Sequence, residues 1–196
     1  MRTINIVLGL GIMAASAADP YYSLAVYAPD SLQIDGKVIN AVDSEFIIGA
    51  LRPSTDCDLF DPEDCPPGNT TLVNEDMTAL ASAVPGGQYI FVSPDGSITY
   101  SAAHSNRRPP GSQMGGFNGW RMIGHCDPGN PISVFTWEPK DGSTGLWACP
   151  TAPGISITNK AVLKASTKSF DGAGCLPVPA LQIHEEGQGF AAWQYN

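Results

Sequence analysis

Two cysteines eight positions apart bracket four acidic side chains in Cys57-Asp58-Leu59-Phe60-Asp61-Pro62-Glu63-Asp64-Cys65. Three chemistries suit such a stretch: cation binding, redox work, and a disulfide staple. Calcium needs several oxygen ligands, but the order of an EF-hand is missing here, with no central glycine and no closing glutamate at the right spacing. Zinc needs about four N or S ligands, and no second C-x-x-C or neighbouring histidine completes the pair. An eight-residue separation suits a small disulfide loop, which chain entropy values at roughly 2–3 kcal/mol. Asn69-Thr70-Thr71 follows as an N-glycosylation sequon, a feature of exposed surface in secreted proteins. The expectation is a stapled, glycosylated, acidic surface loop, with no metal site.

The remaining cysteines are Cys126, Cys149 and Cys175. Cys149, in Trp147-Ala148-Cys149-Pro150, is expected to pair with Cys175 in a later loop. That leaves Cys126 free or as a bridge between two copies, so the chain is a monomer or a Cys126-linked dimer. His125 beside Cys126 has the residue types of an activated thiolate, but sequence neighbours rarely hold that geometry, and catalysis there is not expected. The chain has no G-x-S-x-G, no H-E-x-x-H and no glycine-rich phosphate loop, so no catalytic residue, cofactor or metal is assigned. A carboxylate pair of the glycosidase kind is the open alternative, since its two acids can lie far apart in sequence.

Binding chemistry has better candidates. The stretch 103–119, Ala-His-Ser-Asn-Arg-Arg-Pro-Pro-Gly-Ser-Gln-Met-Gly-Gly-Phe-Asn-Gly, has no hydrophobic period and holds His104 and the adjacent pair Arg107-Arg108. Long irregular segments in compact domains are solvated connections or ligand contacts. Of Trp120, Trp137, Trp147 and Trp193, any on an exposed face can stack on sugar rings; the rest fill a core, which is the favoured reading. The candidate ligand-contact residues are therefore His104, Arg107, Arg108, Trp120 and Trp193.

These residues need a frame. The segment 1–17 carries Arg2, an apolar run and Ala15-Ser16-Ala17, the layout of a secretory signal peptide, and 18–196 is expected to be one secreted domain. Loss of Arg2 takes the formal charge from −9 to −10, which argues against nucleic acid or anionic lipid as partners. No further stretch is apolar enough to span a membrane as a helix, and no hydrophobic tail of the lipid-anchor kind follows Tyr195-Asn196. With 21 Gly and 17 Pro, the sequence is turn-rich.

Strand patterns recur at 21–28, 88–92, 97–100, 120–123, 132–137, 145–148, 155–157, 161–165, 181–184 and 190–195. Pro94-Asp95-Gly96 predicts a hairpin between 88–92 and 97–100, and Asp35-Gly36 predicts one between 32–34 and 38–39. Residues 76–84 read equally as two helical turns or a strand. The fold expected is all-β, an antiparallel sandwich or barrel with a β-trefoil as a special case, long loops and two disulfides.

Several of these segments together resemble a known family. They are Cys57 through Cys65-Pro66-Pro67-Gly68-Asn69-Thr70, Val84-Pro85-Gly86-Gly87-Gln88, Ala103-His104-Ser105, Pro109-Pro110-Gly111-Ser112 and Gly119-Trp120. Ala148-Cys149-Pro150, Cys175 and Ala191-Ala192-Trp193-Gln194-Tyr195 complete the set. In this order they resemble the small secreted fungal cell-wall PhiA-like or IgE-binding proteins. The resemblance implies an extracellular or cell-wall protein linked to wall formation and allergenicity, with no reaction and no catalytic residues to carry over. It matches the pairs Cys57 with Cys65 and Cys149 with Cys175, whereas Cys126 departs from the pattern. The expected activity is non-enzymatic binding of wall polysaccharide, glucan or chitin, or of a host protein.

Overall fold

A computed structural model describes residues 19–124, 127–152, 156–157 and 159–196; the expected leader, His125 and Cys126 lie outside them. Among the described residues there are fourteen strands: β1 (Tyr21–Tyr27), β2 (Val38–Val42), β3 (Glu45–Ile48), β4 (Thr55–Asp56), β5 (Ala79–Leu80), β6 (Gln88–Val92) and β7 (Ile98–Tyr100). The chain continues with β8 (Phe117–Gly124), β9 (Asp127–Trp137), β10 (Leu146–Cys149), β11 (Ala161–Ala165), β12 (Leu176–Val178), β13 (Ala180–Gly187) and β14 (Gln194–Tyr195).

The strands build a curled antiparallel sheet, a half-barrel, in the order β12-β10-β11-β3-β2-β1-β13-β9-β8. One edge of β3 is shared: Ile47 and Ile48 pair with β11, while Glu45 pairs with Thr99 of β7. That fork carries the β6–β7 hairpin away from the main path. Val26, Phe46, Ile48, Ile90, Ile98, Phe135, Leu163 and Leu181 meet inside the curl, all at most 1% exposed. Trp137 is core as well, its indole N–H donating to the Ser166 carbonyl at 2.8 Å.

Turn chemistry explains most boundaries. The Pro94-Asp95-Gly96 hairpin forms as expected, with Gly96 at φ +86 and packed so closely that a Cβ there would lie 2.5 Å from the Ala165 carbonyl oxygen. Asp35-Gly36 also turns the chain, but it joins β2 to β1. Residues 32–34 form no strand; Ile34 is a single buried anchor, and Asp35 accepts the Ala28 N–H at 2.7 Å.

Residues 76–84 form neither helix nor long strand. The Asn74 side chain accepts the N–H groups of Thr78 and Ala79 at 2.8 and 2.9 Å, which competes with helical bonding and leaves only β5. In the segment expected as a strand at 190–195, only β14 is regular. Of the strand expected at 155–157, Ile155 lies outside the described residues, and 156–157 are irregular. Both expected disulfides are present, Cys57–Cys65 and Cys149–Cys175.

Candidate functional site

A cleft that joins aromatic and cationic side chains lies on the outer face of β6. Gln88, Ile90 and Val92 point inward and are buried, so alternation sends Tyr89 and Phe91 outward. Tyr89 stays 41% exposed, whereas Phe91 is only 5% exposed. The segment 101–116 covers it. That segment starts at Ser101, which exchanges two bonds with Tyr89: its N–H donates to the Tyr89 carbonyl at 2.9 Å, and its Oγ accepts the Tyr89 N–H at 3.0 Å. It returns at Gln113, whose N–H and C=O both bond Val92, at 2.9 and 2.8 Å. Between these anchors the Ser105 N–H donates to the Ala102 carbonyl, a turn that puts His104 at φ 58, a left-handed conformation costly for a residue with a Cβ.

The result is a cleft of about 310 Å³. Tyr89, Phe91 and Met114 line its apolar side, Arg107 and Arg108 its cationic side, and Ser101 and Asn106 complete the wall. Neither arginine has a carboxylate partner among the described residues, where the ion pair present is Lys164–Asp95 at 3.5 Å. His104 lines an adjoining cleft with Pro85, Gly86 and Gly87, and Asn106 borders both. Arg107 and Arg108 thus share one cleft, and His104 lines the neighbouring one.

The two tryptophan candidates stand elsewhere. Trp120 lies on β8, the edge of the sheet, opposite Val134, and it is 53% exposed with its indole N–H donating to Thr136 Oγ1 at 2.8 Å. Trp193 is half-buried, with an enclosed indole nitrogen that has no partner among the described residues. Neither lines the arginine cleft. Tyr89 and Met114, which do, were not among the residues expected from sequence. The signal for Tyr89 was its place in an otherwise apolar strand, which reads as core until a loop is known to stop short of it.

Buried polar links fix the base of this site. Gln88, fully buried, donates through Nε2 to the carbonyls of Ser101 and Tyr195 at 3.0 and 2.8 Å and accepts the Tyr195 N–H at 2.7 Å. Tyr195 packs edge-on to Tyr100 at 6.4 Å. Burial pushes the Tyr195 phenol up to about 12 and raises that of Tyr100 further still. At the hairpin turn, burial works to raise the Asp95 carboxyl. The Ser97 hydroxyl, the Ser97 N–H and the Lys164 ammonium outweigh it and hold Asp95 below the ordinary carboxylate value.

Two other surfaces carry chemistry. The Cys57–Cys65 loop is tied by Asp61 accepting the Glu63 N–H at 3.0 Å, and it presents Phe60 fully to solvent. A broad groove of about 810 Å³ runs past the Cys149–Cys175 bridge and contains Glu45, Asp171 and Lys164. Among the described residues no three His, Cys, Asp or Glu side chains cluster as a metal site.

The chain is 31% identical over 181 residues to an uncharacterized secreted protein of Arthroderma benhamiae, across 91% of this chain and 88% of that protein. It belongs to the same family of secreted fungal proteins. Like its relative, it is a secreted protein. No family model and no solved structure matches the chain.

Proposed function

We propose that this protein is a non-enzymatic binding protein of the fungal surface, and that it holds extracellular polysaccharide in the cleft of Tyr89, Arg107, Arg108 and Met114. The observation that carries this reading is the exposed phenol ring of Tyr89 beside two guanidinium groups on one anchored loop that have no carboxylate partner among the described residues. A pyranose ring buries its apolar face against an aromatic ring, and the ring's rim oxygens need donors. Guanidinium supplies five N–H donors in a planar fork and never loses its charge, so it serves hydroxyl and carboxylate oxygens alike. Wall residence and membership of the PhiA-like, IgE-binding group, both implied by the resemblance in sequence, belong to this proposal.

A second reading, a host protein as partner, is favoured by Phe60, a large apolar side chain displayed on a stapled loop. The test is incubation of the purified protein with insoluble β-glucan, chitin and an acidic polysaccharide, with released sugars assayed in the same tubes. Retention without release, lost in Arg107→Ala/Arg108→Ala, is the expected result. Release of oligosaccharide that vanishes in Glu45→Gln or Asp171→Asn would replace it with a hydrolase working in the broad groove. Neither retention nor release would leave the protein partner.

A further inference from the structure

We infer that Asn69 carries an N-linked glycan whose first sugar lies on the ring of Phe190. The proposal is independent of the arginine cleft and rests on a second cleft that shares no lining residue with it. Phe190 is 53% exposed and tilted against Tyr21, with ring centroids 6.4 Å apart, so it forms an apolar surface patch. A cleft of about 280 Å³ adjoins it, lined by Pro67, Asn69, Thr70, Leu72, Phe190 and Ala191 among others. The attachment residue and the aromatic therefore face the same space.

The backbone around Asn69 holds that juxtaposition. The Gly68 N–H donates to the carbonyl of Ala191, the residue after Phe190, at 2.7 Å. Thr55 Oγ1 donates to the Gly68 carbonyl at 3.0 Å, and Gly68 sits at φ +63, where a Cβ would come within 2.7 Å of that hydroxyl. On the other side the Tyr195 hydroxyl donates to the Thr70 carbonyl at 3.1 Å, and the Thr71 N–H donates to Asn40 Oδ1 at 2.9 Å. Asn69 itself is exposed between these two pinned neighbours. A sugar leaving its amide starts from a fixed point and enters the cleft that Phe190 lines.

Chemistry selects the occupant. Asn69-Thr70-Thr71 is an N-glycosylation acceptor, and the family is secreted from a eukaryote. The first residue of such a glycan is an N-acetylhexosamine, whose apolar ring face and acetyl methyl group match an aromatic surface. Glu186 also lines the cleft, and its Oε1 accepts the Ser23 hydroxyl at 2.6 Å, so one of its two carboxylate oxygens already has a donor. An exposed phenylalanine on a face that its own chain can cover covalently has no need of a second protein.

The test uses the full chain secreted from a yeast host. Mass measurement before and after enzymatic deglycosylation reads occupancy, and Asn69→Gln locates it. Trimming the glycan to a single sugar should leave the thermal midpoint nearly unchanged. Phe190→Ala should then lower Tm by about 2–4 °C with the sugar present and by less than about 1 °C in the Asn69→Gln background. In the trimmed protein the acetyl methyl proton signal should be shifted upfield by the ring, and Phe190→Leu should abolish that shift even if Phe190→Ala folds poorly. A protein secreted with Asn69 bare would overturn the inference. So would an occupied Asn69 with an unshifted methyl signal and an equal Tm cost in both backgrounds.

Discussion

Replacing Gln88 with leucine should unfasten the base of the proposed binding loop and destabilise the whole domain. The side chain is fully buried and makes three hydrogen bonds, to the carbonyls of Ser101 and Tyr195 and from the Tyr195 N–H. Leucine is close in volume, so the main loss is not packing. It strands three backbone groups in a dry interior, and each such group costs about 1–3 kcal/mol. Partial relief through second lone pairs on the carbonyls puts the total at about 3–5 kcal/mol. That is a large fraction of the roughly 5–15 kcal/mol that holds a domain together.

For a chain of this length the loss converts to a Tm decrease of about 6–20 °C. Chemical unfolding followed by tryptophan fluorescence would read the free energy directly, because Trp137 is in the core. Ser101 also fixes the Tyr89 backbone, so sugar affinity should fall with stability, and by more than a distant mutation of equal cost would cause. A Gln88→Leu protein with Tm within about 2 °C of the parent would refute the reasoning, because the three bonds would then contribute nothing net.

Other outcomes follow from the same geometry. His104→Gly removes a Cβ from a left-handed turn position, so it should raise Tm by about 2–4 °C, and any loss of ligand affinity in that stabilised variant measures the imidazole itself. Tyr100 and Tyr195 keep their protons in the folded state above the unfolded value near 10. Between pH 10 and 12 the unfolded chain therefore binds fewer protons, and stability present below pH 10 is lost as pH rises, at about 1.4 kcal/mol per pH unit for each phenol. Denaturant titrations at pH 9, 10 and 11 should show that slope, and Tyr195→Phe should flatten it by about half. Cys57→Ser/Cys65→Ser should lower Tm by about 4–12 °C while leaving affinity at the arginine cleft within about twofold, since the staple serves its own loop.

How far the sequence anticipates this molecule depends on the kind of signal each element carries. The Pro94-Asp95-Gly96 hairpin was legible because proline and glycine both have restricted roles in turns. The β2–β3 hairpin was not: its turn residues are Asp43 and Ser44, at φ 50 and 65, and a serine in that conformation leaves no compositional trace. The Cys57–Cys65 disulfide was readable from spacing and compartment, whereas the Cys149–Cys175 pair, among three remaining cysteines, was supported by the family resemblance. The forked pairing of β3 was not, since it depends on long-range register that a single strand does not encode.

At the site, Arg107 and Arg108 stood out as an adjacent basic pair in an acidic chain, and the fold does put both on one cleft wall. Tyr89 belongs to a distant strand and Met114 to the far end of the same loop, and the return of that loop at Gln113 brings both to the arginines. Phe60 and Phe190 escaped notice for a related reason: an apolar residue reads as buried, and only the structure reveals one held out to solvent.

The claim at the centre of this account is that the Tyr89–Arg107–Arg108 cleft holds polysaccharide. Its most direct test is isothermal titration of soluble oligosaccharides, neutral and acidic, into the parent, Tyr89→Ala and Arg107→Ala/Arg108→Ala proteins, each first shown to keep the parent Tm. The account predicts measurable binding to the parent, a loss of tenfold or more, about 1.4 kcal/mol, in each variant, and little change in Trp120→Ala. Binding that survives both cleft variants and disappears in Trp120→Ala would contradict it and move the site to the exposed β8 edge.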